Sequence, residues 1–303
     1  MIKLKDIEIN DKKWIDPLIA AANFRGCHQN FTNMFAWTEV YKYEVAQVEG
    51  FLVVKENSES LAPHFYFPAG TGDLKSVIET MKADAEERQH PFSLIGLSVE
   101  NVEALRQIYP DRFEYQALPD IFDYVYRLDK LVSLSGKKLQ SKRNHINRFK
   151  ATNPWTFELI TAENKDACWE MNVQWCKEHG CGKDPELANE KCAVRRCFDY
   201  YWELGLEGGL LRVDGKVIAY TMGERLNADT YDIHIEKAFP EIHGSYQMIN
   251  HEFASHLQEK YPDLVYVNRE EDMGLEGLRK AKLSYYPERM EEKYLAKYIQ
   301  IDN

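Results

Sequence analysis

The sequence predicts an α/β protein with two domains, each built around a mixed central sheet flanked by helices. Segments with the two-residue period of strands alternate along both halves with segments of helical period. A chain of 303 residues exceeds what one hydrophobic core usually serves. The apolar fraction of 44% and the charged fraction of 29% are ordinary for a folded globular protein, which argues against long disordered regions.

In the first half, the predicted helices carry a capping residue, and the strands are short and bounded by turn residues. These elements are a helix over 30–42, a strand pair over 43–55 turning at Glu49 and Gly50, a strand at 64–67, a helix over 73–87, a strand at 92–97, a helix over 98–109, and strands at 113–115 and 122–128.

The second half repeats this alternation. Its predicted elements are a basic helix over 131–151, a strand at 155–160, helices over 164–177 and 185–204, a hairpin over 209–224 turning at Asp214 and Gly215, a strand at 230–236, a helix over 246–260, a strand at 264–267, a helix over 275–282, and a strand or short helix over 289–298. No Pro-, Gly- or Ser-rich linker separates the halves, and we predict domains at 1–130 and 131–303.

Charge and terminal sequence restrict the functional class. A net charge of -11 and a pI near 5.4 argue against general coating of nucleic acid and broad attraction to anionic membranes. The N-terminus lacks the apolar core of a signal peptide, and no apolar run approaches the ~18 residues that span a bilayer. We therefore expect a cytoplasmic protein with reduced thiols.

Five of the six cysteines lie between Cys168 and Cys197, with His179 among them. Their spacing is a weak match to structural zinc sites, and buried thiols are the favoured interpretation. We predict no metal.

A basic segment over 137–150 holds six Lys or Arg and no acidic residue. It indicates a phosphate-rich partner, and a solvated helix face is the alternative. The predicted donor- or phosphate-binding residues in it are Lys138, Lys142, Arg143 and His145.

The strand at 230–236 carries candidate catalytic groups. Strand alternation places Asp232, His234 and Glu236 on one face, where they either line a cleft or face water on an edge strand. His234 and Glu236 are the candidate bases for taking a proton from an amine.

Polar residues follow the apolar strand at 264–267, where ligands collect in open α/β sheets. We expect Asn268 and Arg269 to orient a carboxylate or phosphate, and we expect Glu270, Glu271 and Asp272 to hold a substrate ammonium. The alternative is a helix N-terminus that gathers favourable carboxylates.

The order of hairpin, strand and Gly-containing turn before a helix resembles the acyl-CoA N-acyltransferase (GNAT-like) fold. That resemblance implies that Gly244, Ser245, Tyr246 and Gln247 bind a pyrophosphate at the helix start. It also implies that Tyr285 could protonate a departing group, with core packing of Tyr285 and Tyr286 as the alternative. Glu241 and Tyr246 depart from the usual motif.

A longer resemblance is to a bacterial family related to the soluble domain of phosphatidylglycerol lysyltransferases. Its matching motifs are long and are found at 136–139, 142–147, 234–238, 244–247 and 268–282. The resemblance implies two acyltransferase folds in tandem, and aminoacyl transfer from a charged tRNA to a lipid in the lysyltransferase relatives.

Together these observations predict an acyl- or aminoacyltransferase that moves an acyl group from aminoacyl-tRNA or acyl-CoA to an amine or hydroxyl. No nucleophile motif is present, which favours direct transfer. No cofactor is certain beyond these co-substrates, and the oligomeric state is unknown. A non-catalytic nucleotide- or metabolite-binding module is the alternative, motivated by Glu241, and a tRNA-binding accessory factor is a third. Each of these three hypotheses requires the strands at 230–236 and 264–267 to diverge and open a slot beside Gly244.

Overall fold

The computed structural model describes residues 1–58 and 62–300. By compactness the chain forms two units. The first contains Met1–Asp123, Glu271–Glu276 and the chain from Met290 onward, and the second contains Tyr124–Glu270 and Gly277–Arg289. The C-terminal strand thus returns to the first unit. The division into acyltransferase-like domains at 130 and 131 stays a prediction.

The first unit is built on a mixed sheet in which eight strands are described. Its strands are β1 (Lys5–Asp6), β2 (Glu44–Val48), β3 (Phe51–Glu56), β4 (His64–Tyr66), β5 (Ala69–Gly70), β6 (Ser93–Leu97), β7 (Phe113–Ala117) and β15 (Tyr294–Tyr298). The order is β1-β2-β3-β4-β6-β15-β7, with β5 paired to β3, and β4 and β6 run parallel. Its helices are α1 (Lys12–Ala22), α2 (Phe31–Tyr41), α3 (Leu74–Glu87) and α4 (Val99–Ile108).

The second sheet is also mixed. Its strands are β8 (Asp123–Arg127), β9 (Trp155–Leu159), β10 (Glu207–Val213), β11 (Lys216–Arg225), β12 (Thr230–Ala238), β13 (Tyr266–Asn268) and β14 (Arg289–Glu291), in the order β14-β8-β13-β12-β11-β10-β9. The helices are α5 (Leu128–Ser133), α6 (Gln140–Thr152), α7 (Lys165–Glu178), α8 (Pro185–Asp199), α9 (Tyr201–Leu204), α10 (Ser245–Lys260) and α11 (Glu276–Leu283). The predicted architecture, mixed sheets flanked by helices, is confirmed.

Local sequence explains where several helices begin. The side chains of Asn30, Asp73 and Ser98 accept hydrogen bonds from the first-turn amides of α2, α3 and α4. These contacts satisfy amides that have no partner inside the helix. Asp184 does the same for α8, which Pro185 opens. These predicted starts are confirmed to within a residue or two.

The predicted basic helix over 131–151 is wrong as one continuous element. It is divided into α5 and α6 by a turn in which Leu134 has φ 45° and Gly136 has φ 85°. The Arg143 guanidinium holds this turn by donating to the carbonyls of Leu134 and Gly136. The predicted helix over 185–204 is likewise two helices, α8 and α9.

The cysteines behave differently from the expectation of six reduced thiols. Cys176 at the end of α7 and Cys181 form a disulfide, whereas Cys27, Cys168, Cys192 and Cys197 are free thiols. Cys168 and Cys197 are buried as expected, and Cys27 is buried too, whereas the expectation that Cys192 is buried is wrong because its side chain is exposed. Among residues 1–58 and 62–300, no helix has the length and apolar character needed to cross a bilayer.

The pairing of β12 with β13 is short. They pair in parallel only from Thr230–Tyr266 to Asp232–Asn268, after which β13 ends while β12 continues to Ala238. Along its other edge β12 stays paired with β11, with a bulge opposite Met222 and Gly223. β13 therefore ends early beside β12, and the slot expected beside Gly244 stays a prediction.

Close packing of two helices explains the conformation of Gly244, which precedes α10. Gly244 has φ 87°, and a Cβ built on it would lie 2.7 Å from the backbone oxygen of His145 in α6. Only glycine accommodates both the left-handed backbone and this approach. The turn beside Gly244 is covered by α6 on this side.

We expect Gly244→Ala to lower the free energy of unfolding by roughly 2–4 kcal/mol, through left-handed strain and a backbone clash. The matched control is Gly205→Ala, because Gly205 has φ 75° and no atom within 4 Å of its built Cβ. It should cost roughly 1 kcal/mol. Urea unfolding of both variants measures the difference, and equal losses would show that the approach of α6 to α10 adds nothing.

Candidate functional site

His234 lies in a cage of carboxylates where β12 separates from β13. Its Nδ1 is 3.0 Å from Glu270 Oε1, and its Nε2 is 3.3 Å from Glu224 Oε1. Asp232 Oδ2 lies 3.8 Å from Nδ1. The His234 side chain is 2% exposed, and that of Asp232 is fully buried. The alternative of a water-facing edge strand is therefore wrong.

The cage determines the protonation of His234. Burial alone would lower its pKa, but Asp232, Glu224 and Glu270 outweigh burial and raise the pKa well above the ordinary value. Ionised carboxylates only accept hydrogen bonds, so both ring nitrogens act as donors. His234 is thus an imidazolium, which orients Glu224 and Glu270 and has no lone pair with which to take a proton.

A tight turn after β13 places the next residues. Asn268 is fully buried, and its Oδ1 accepts a hydrogen bond of 2.8 Å from the amide of Glu270, which has φ 56°. The Lys282 ammonium donates to the carbonyls of Arg269 and Glu270 at 2.5 and 3.0 Å. Asn268 therefore shapes the backbone that presents Arg269 and Glu270.

Arg269 occupies the space between the diverging strands. Its Nη2 donates to Glu236 Oε1 at 2.8 Å, and its guanidinium lies 5.1 Å from the ring centre of Tyr285. Asn250 donates to the other oxygen of Glu236 at 3.2 Å. Nη1 of Arg269 is buried, and within the described chain it has no hydrogen-bond partner. Nη1 is therefore available to donate to an oxygen atom of a ligand or of water.

Lys142 contacts the same aromatic ring as Arg269. Its Nζ lies 4.1 Å from the Tyr285 ring centre and donates to Ser284 Oγ at 2.6 Å. Burial, together with the nearby charge of Arg269, lowers the pKa of Lys142 to about 8. Burial raises the pKa of the Tyr285 hydroxyl, despite the opposing effect of Arg269. Lys142 is therefore better suited than Tyr285 to exchange protons near neutral pH.

The other predicted donor-binding residues are spread over this unit. Arg143 is used by the α5–α6 turn, and the Lys138 ammonium lies 5.1 Å from the Tyr286 ring centre. His145 Nδ1 is 2.8 Å from His243 Nε2, and burial and neighbouring positive charge lower the pKa of His145. Lys138 is exposed, as is His243, and Arg143 and His145 are half-buried.

The residues after Gly244 are largely committed to packing. Ser245 is buried and donates to the carbonyl of Phe239 at 2.8 Å, and Tyr246 and Gln247 are half-buried. Burial raises the pKa of Tyr246. The role of these residues in phosphate binding stays a prediction.

Comparison with known proteins identifies the family. A family model described as "Phosphatidylglycerol lysyltransferase, C-terminal" matches residues 19–297. The chain belongs to this family.

Several other proteins are similar to this chain in sequence or in structure. A conserved protein of unknown function from Bacteroides thetaiotaomicron is 38% identical, with a TM-score of 0.92, over 99% of this chain and 100% of that one. The C-terminal domain of a proposed lysylphosphatidylglycerol synthetase from Agrobacterium fabrum is 14% identical, with a TM-score of 0.67, over 96% and 92%. An uncharacterized protein of Mycoplasmoides gallisepticum is 27% identical over 69% of this chain and 70% of its own.

In this lysyltransferase-family protein, the predicted acceptor-binding residues separate. Asn268, Arg269 and Glu270 belong to the second unit, whereas Glu271 and Asp272 belong to the first. Asp272 is buried and accepts from the amide of Gly274, which indicates a structural role in that turn.

Glu271 joins a buried cluster in the first unit that sequence reasoning missed. Its Oε2 is 3.3 Å from Cys27 Sγ and 3.8 Å from the Lys293 ammonium. Lys293 also contacts Asp123 Oδ1 and lies 2.5 Å from His28 Nδ1. The only local indication in the sequence is the Cys27-His28 pair, because the other members are 90 or more residues away.

Two groups in the described chain offer a metal several ligand atoms: Asp232, His234 and Glu270, and Cys27, His28, Asp123 and Glu271. In the first, the imidazolium of His234 would have to lose its protons before it could bind a metal. In the second, the ammonium of Lys293 lies where a cation would bind. In each group, a cation of the protein itself, His234 or Lys293, holds the carboxylates together.

We expect Lys142→Met to raise the free energy of unfolding at pH 7 by roughly 1–2 kcal/mol, since the apolar side chain removes a destabilised charge that solvent partly screens. Because the pKa of Lys142 is lower in the folded than in the unfolded chain, its penalty is complete below pH 8. The wild-type protein regains this stability as pH rises from about 8 towards 10.5.

Urea unfolding at pH 7 and pH 10 measures this gap, which should narrow at the higher pH. Lys216→Met, at an exposed position, is the control and should stay within about 0.5 kcal/mol of wild type at both values. A gap independent of pH would contradict the assignment.

Proposed function

We propose that the protein is an acyl- or aminoacyltransferase that moves an acyl group from a phosphate-rich donor, aminoacyl-tRNA or acyl-CoA, directly to an amine or hydroxyl acceptor. Family membership supports transfer chemistry. The observation that carries the proposal is Arg269, whose buried Nη1 has no hydrogen-bond partner in the described chain, at the place where β12 and β13 separate.

Arg269 suits the stabilisation of a developing oxyanion. Attack on an ester or thioester carbonyl places negative charge on the carbonyl oxygen. Glu236 and the Tyr285 ring hold the guanidinium in place before any substrate binds. A donor that needs no reorganisation in a water-poor setting stabilises the transition state more than the ground state.

Lys142 is the proposed acid–base group. As a neutral amine it accepts the proton from the attacking amine or hydroxyl while the new acyl–N or acyl–O bond forms. The acyl–O bond to ribose or the acyl–S bond to coenzyme A then breaks, and the ammonium returns the proton to the departing oxygen or sulfur. A pKa of about 8 allows both directions near neutral pH.

The remaining predicted residues support these two in the proposed reaction. His234 holds Glu270, and Glu236 orients Arg269, so both act through neighbours. Lys138 and the His145–His243 pair offer partly exposed positive or proton-donating groups to the donor phosphates.

One observation favours the non-catalytic alternative. The cavity lined by Ile233, Glu236 and Asn250 has a volume of only about 10 Å³. This volume holds at most one water molecule. An acyl group could enter this cavity only by displacing the side chains that line it.

The direct test incubates the full chain with radiolabelled aminoacyl-tRNAs and acyl-CoAs plus amine and hydroxyl acceptors. Arg269→Gln should lower kcat by roughly 10²–10³-fold with little change in donor affinity, because the oxyanion contact exists mainly in the transition state. Arg225→Gln, which removes a partly exposed arginine paired with Asp263, is the control. Loss of donor binding alone in Arg269→Gln would support the binding module, and no turnover with any donor would reject the transferase.

The pH profile tests Lys142 separately. We expect kcat/KM to rise with pH and level off above about 8, since the free enzyme must carry a neutral amine. In Lys142→Met, the rise of kcat/KM with pH should disappear and the plateau value should fall. Lys216→Met should keep the rise and the plateau of the wild-type protein. An unchanged profile in Lys142→Met would assign the proton transfer to another group.

A further inference from the structure

The first unit contains a cleft that the proposed transfer does not use. It has a volume of about 250 Å³ and lies among the α1–α2 connection, the β6–α4 turn and the residues before β15. We call it the first-unit cleft. Its lining includes Arg25, His28, Gln29, Glu100, Glu292 and Lys293. The volume corresponds to about eight water molecules, which is room for a ligand with a similar number of non-hydrogen atoms.

Gln29 presents an unused acceptor to this cleft. The residue is 7% exposed, and its Nε2 donates to the carbonyl of Phe67 at 2.6 Å. Because that carbonyl only accepts, the amide orientation is fixed and Oε1 is the remaining polar atom. Oε1 makes no hydrogen bond within the described chain. An accessible acceptor on an otherwise buried residue of the cleft wall can accept from a ligand that donates.

The floor of the first-unit cleft is electrically organised by Lys293. Its ammonium contacts Asp123 and lies 3.8 Å from Glu271, so two carboxylates neutralise it. An ammonium has no lone pair, so His28 Nδ1 accepts from Lys293 and the ring proton lies on Nε2. Lys293 lines the cleft, and Asp123 and Glu271 compensate the charge of its ammonium.

The walls of the cleft carry a negative potential. Glu100, Glu291 and Glu292 line the cleft, against Arg25 as the wall's one cation among the lining residues of the described chain. Carboxylates in a concave, partly dry site focus their field and raise the local concentration of cations. An unused acceptor and a negative potential point to the same kind of ligand.

We propose that the first-unit cleft binds a small organic ammonium ion, with Gln29 Oε1 accepting a hydrogen bond from the ammonium. The wall carboxylates supply the electrostatic attraction. Lys293 holds the base of the cleft together, because its ammonium contacts both Asp123 and His28. This binding is independent of the proposed transfer reaction and requires no acyl donor.

The test is a titration of the full chain with 1,6-diaminohexane, followed by ligand-observed NMR at about 150 mM salt. 1,6-Hexanediol, which has the same number of non-hydrogen atoms without charge, is the matched ligand. We expect saturable binding of the diamine and none of the diol at the same concentrations. Glu100→Gln with Glu292→Gln should weaken the diamine by roughly tenfold, since two exposed carboxylates on the wall are removed.

Gln29→Met tests the acceptor and should also weaken the diamine by roughly tenfold. Thermal unfolding shows whether Gln29→Met remains folded. If it does not, the affinity of the Glu100→Gln, Glu292→Gln double variant decides the test. Glu103→Gln removes a surface carboxylate outside the cleft and should leave the affinity unchanged. Equal binding of diamine and diol, or a loss in Glu103→Gln as large as in the double variant, would overturn the proposal.

Discussion

The turn that ends β13 is the constraint on which the second unit depends. Asn268 is buried, and its side chain accepts from the amide of Glu270, which is held in the left-handed conformation. Without that hydrogen bond, β13 could continue beside β12 as an ordinary parallel strand. Because the chain turns, Arg269 enters the space beside Glu236, and Glu270 reaches His234. The Asn268 contact, together with the Lys282 ammonium on the carbonyls of Arg269 and Glu270, therefore positions both charged groups.

Each unit contains one cluster of carboxylates gathered around an internal cation. In the second unit, the imidazolium of His234 lies among Asp232, Glu224 and Glu270. In the first, the Lys293 ammonium lies between Asp123 and Glu271. Removing either cation would leave buried carboxylates without compensation, a strongly destabilising change. Neither cation is free to act as a base, so these residues organise sites whose chemistry depends on their neighbours.

Local physics made part of this structure predictable from sequence. Asn30, Asp73 and Ser98 cap helices because a short polar side chain can reach the first amides of a helix. Strand alternation correctly placed Asp232 beside His234, and strand-end reasoning placed Glu270 beside them. Glu236 does not follow this alternation, because a bulge interrupts β12: it contacts Asn250 of α10 and lines a small cavity together with Ile233.

Other features could not be predicted from the sequence because they depend on tertiary contacts. A lysine in a basic segment is ordinarily solvated, yet Lys142 is buried against Tyr285 from a distant part of the chain. The first-unit cluster joins residues 27, 28, 123, 271 and 293, and no spacing rule connects such positions. The turn at Leu134 and Gly136, which divides the predicted basic helix, was not predicted. Arg143, which stabilises this turn, was interpreted as a phosphate-binding residue.

Arg269 and Lys142 are coupled, and this coupling gives the proposed reaction an internal sequence. The positive charge of Arg269 helps to lower the pKa of Lys142, so the lysine is readily neutral while Arg269 has no anion at Nη1. An oxyanion that develops beside Arg269 offsets this charge and raises the pKa of Lys142, which strengthens it as a base during attack. When the oxyanion collapses, the charge of Arg269 again disfavours the ammonium, and Lys142 gives its proton to the leaving group. A single arginine thus links the charge on the carbonyl to the direction of proton transfer.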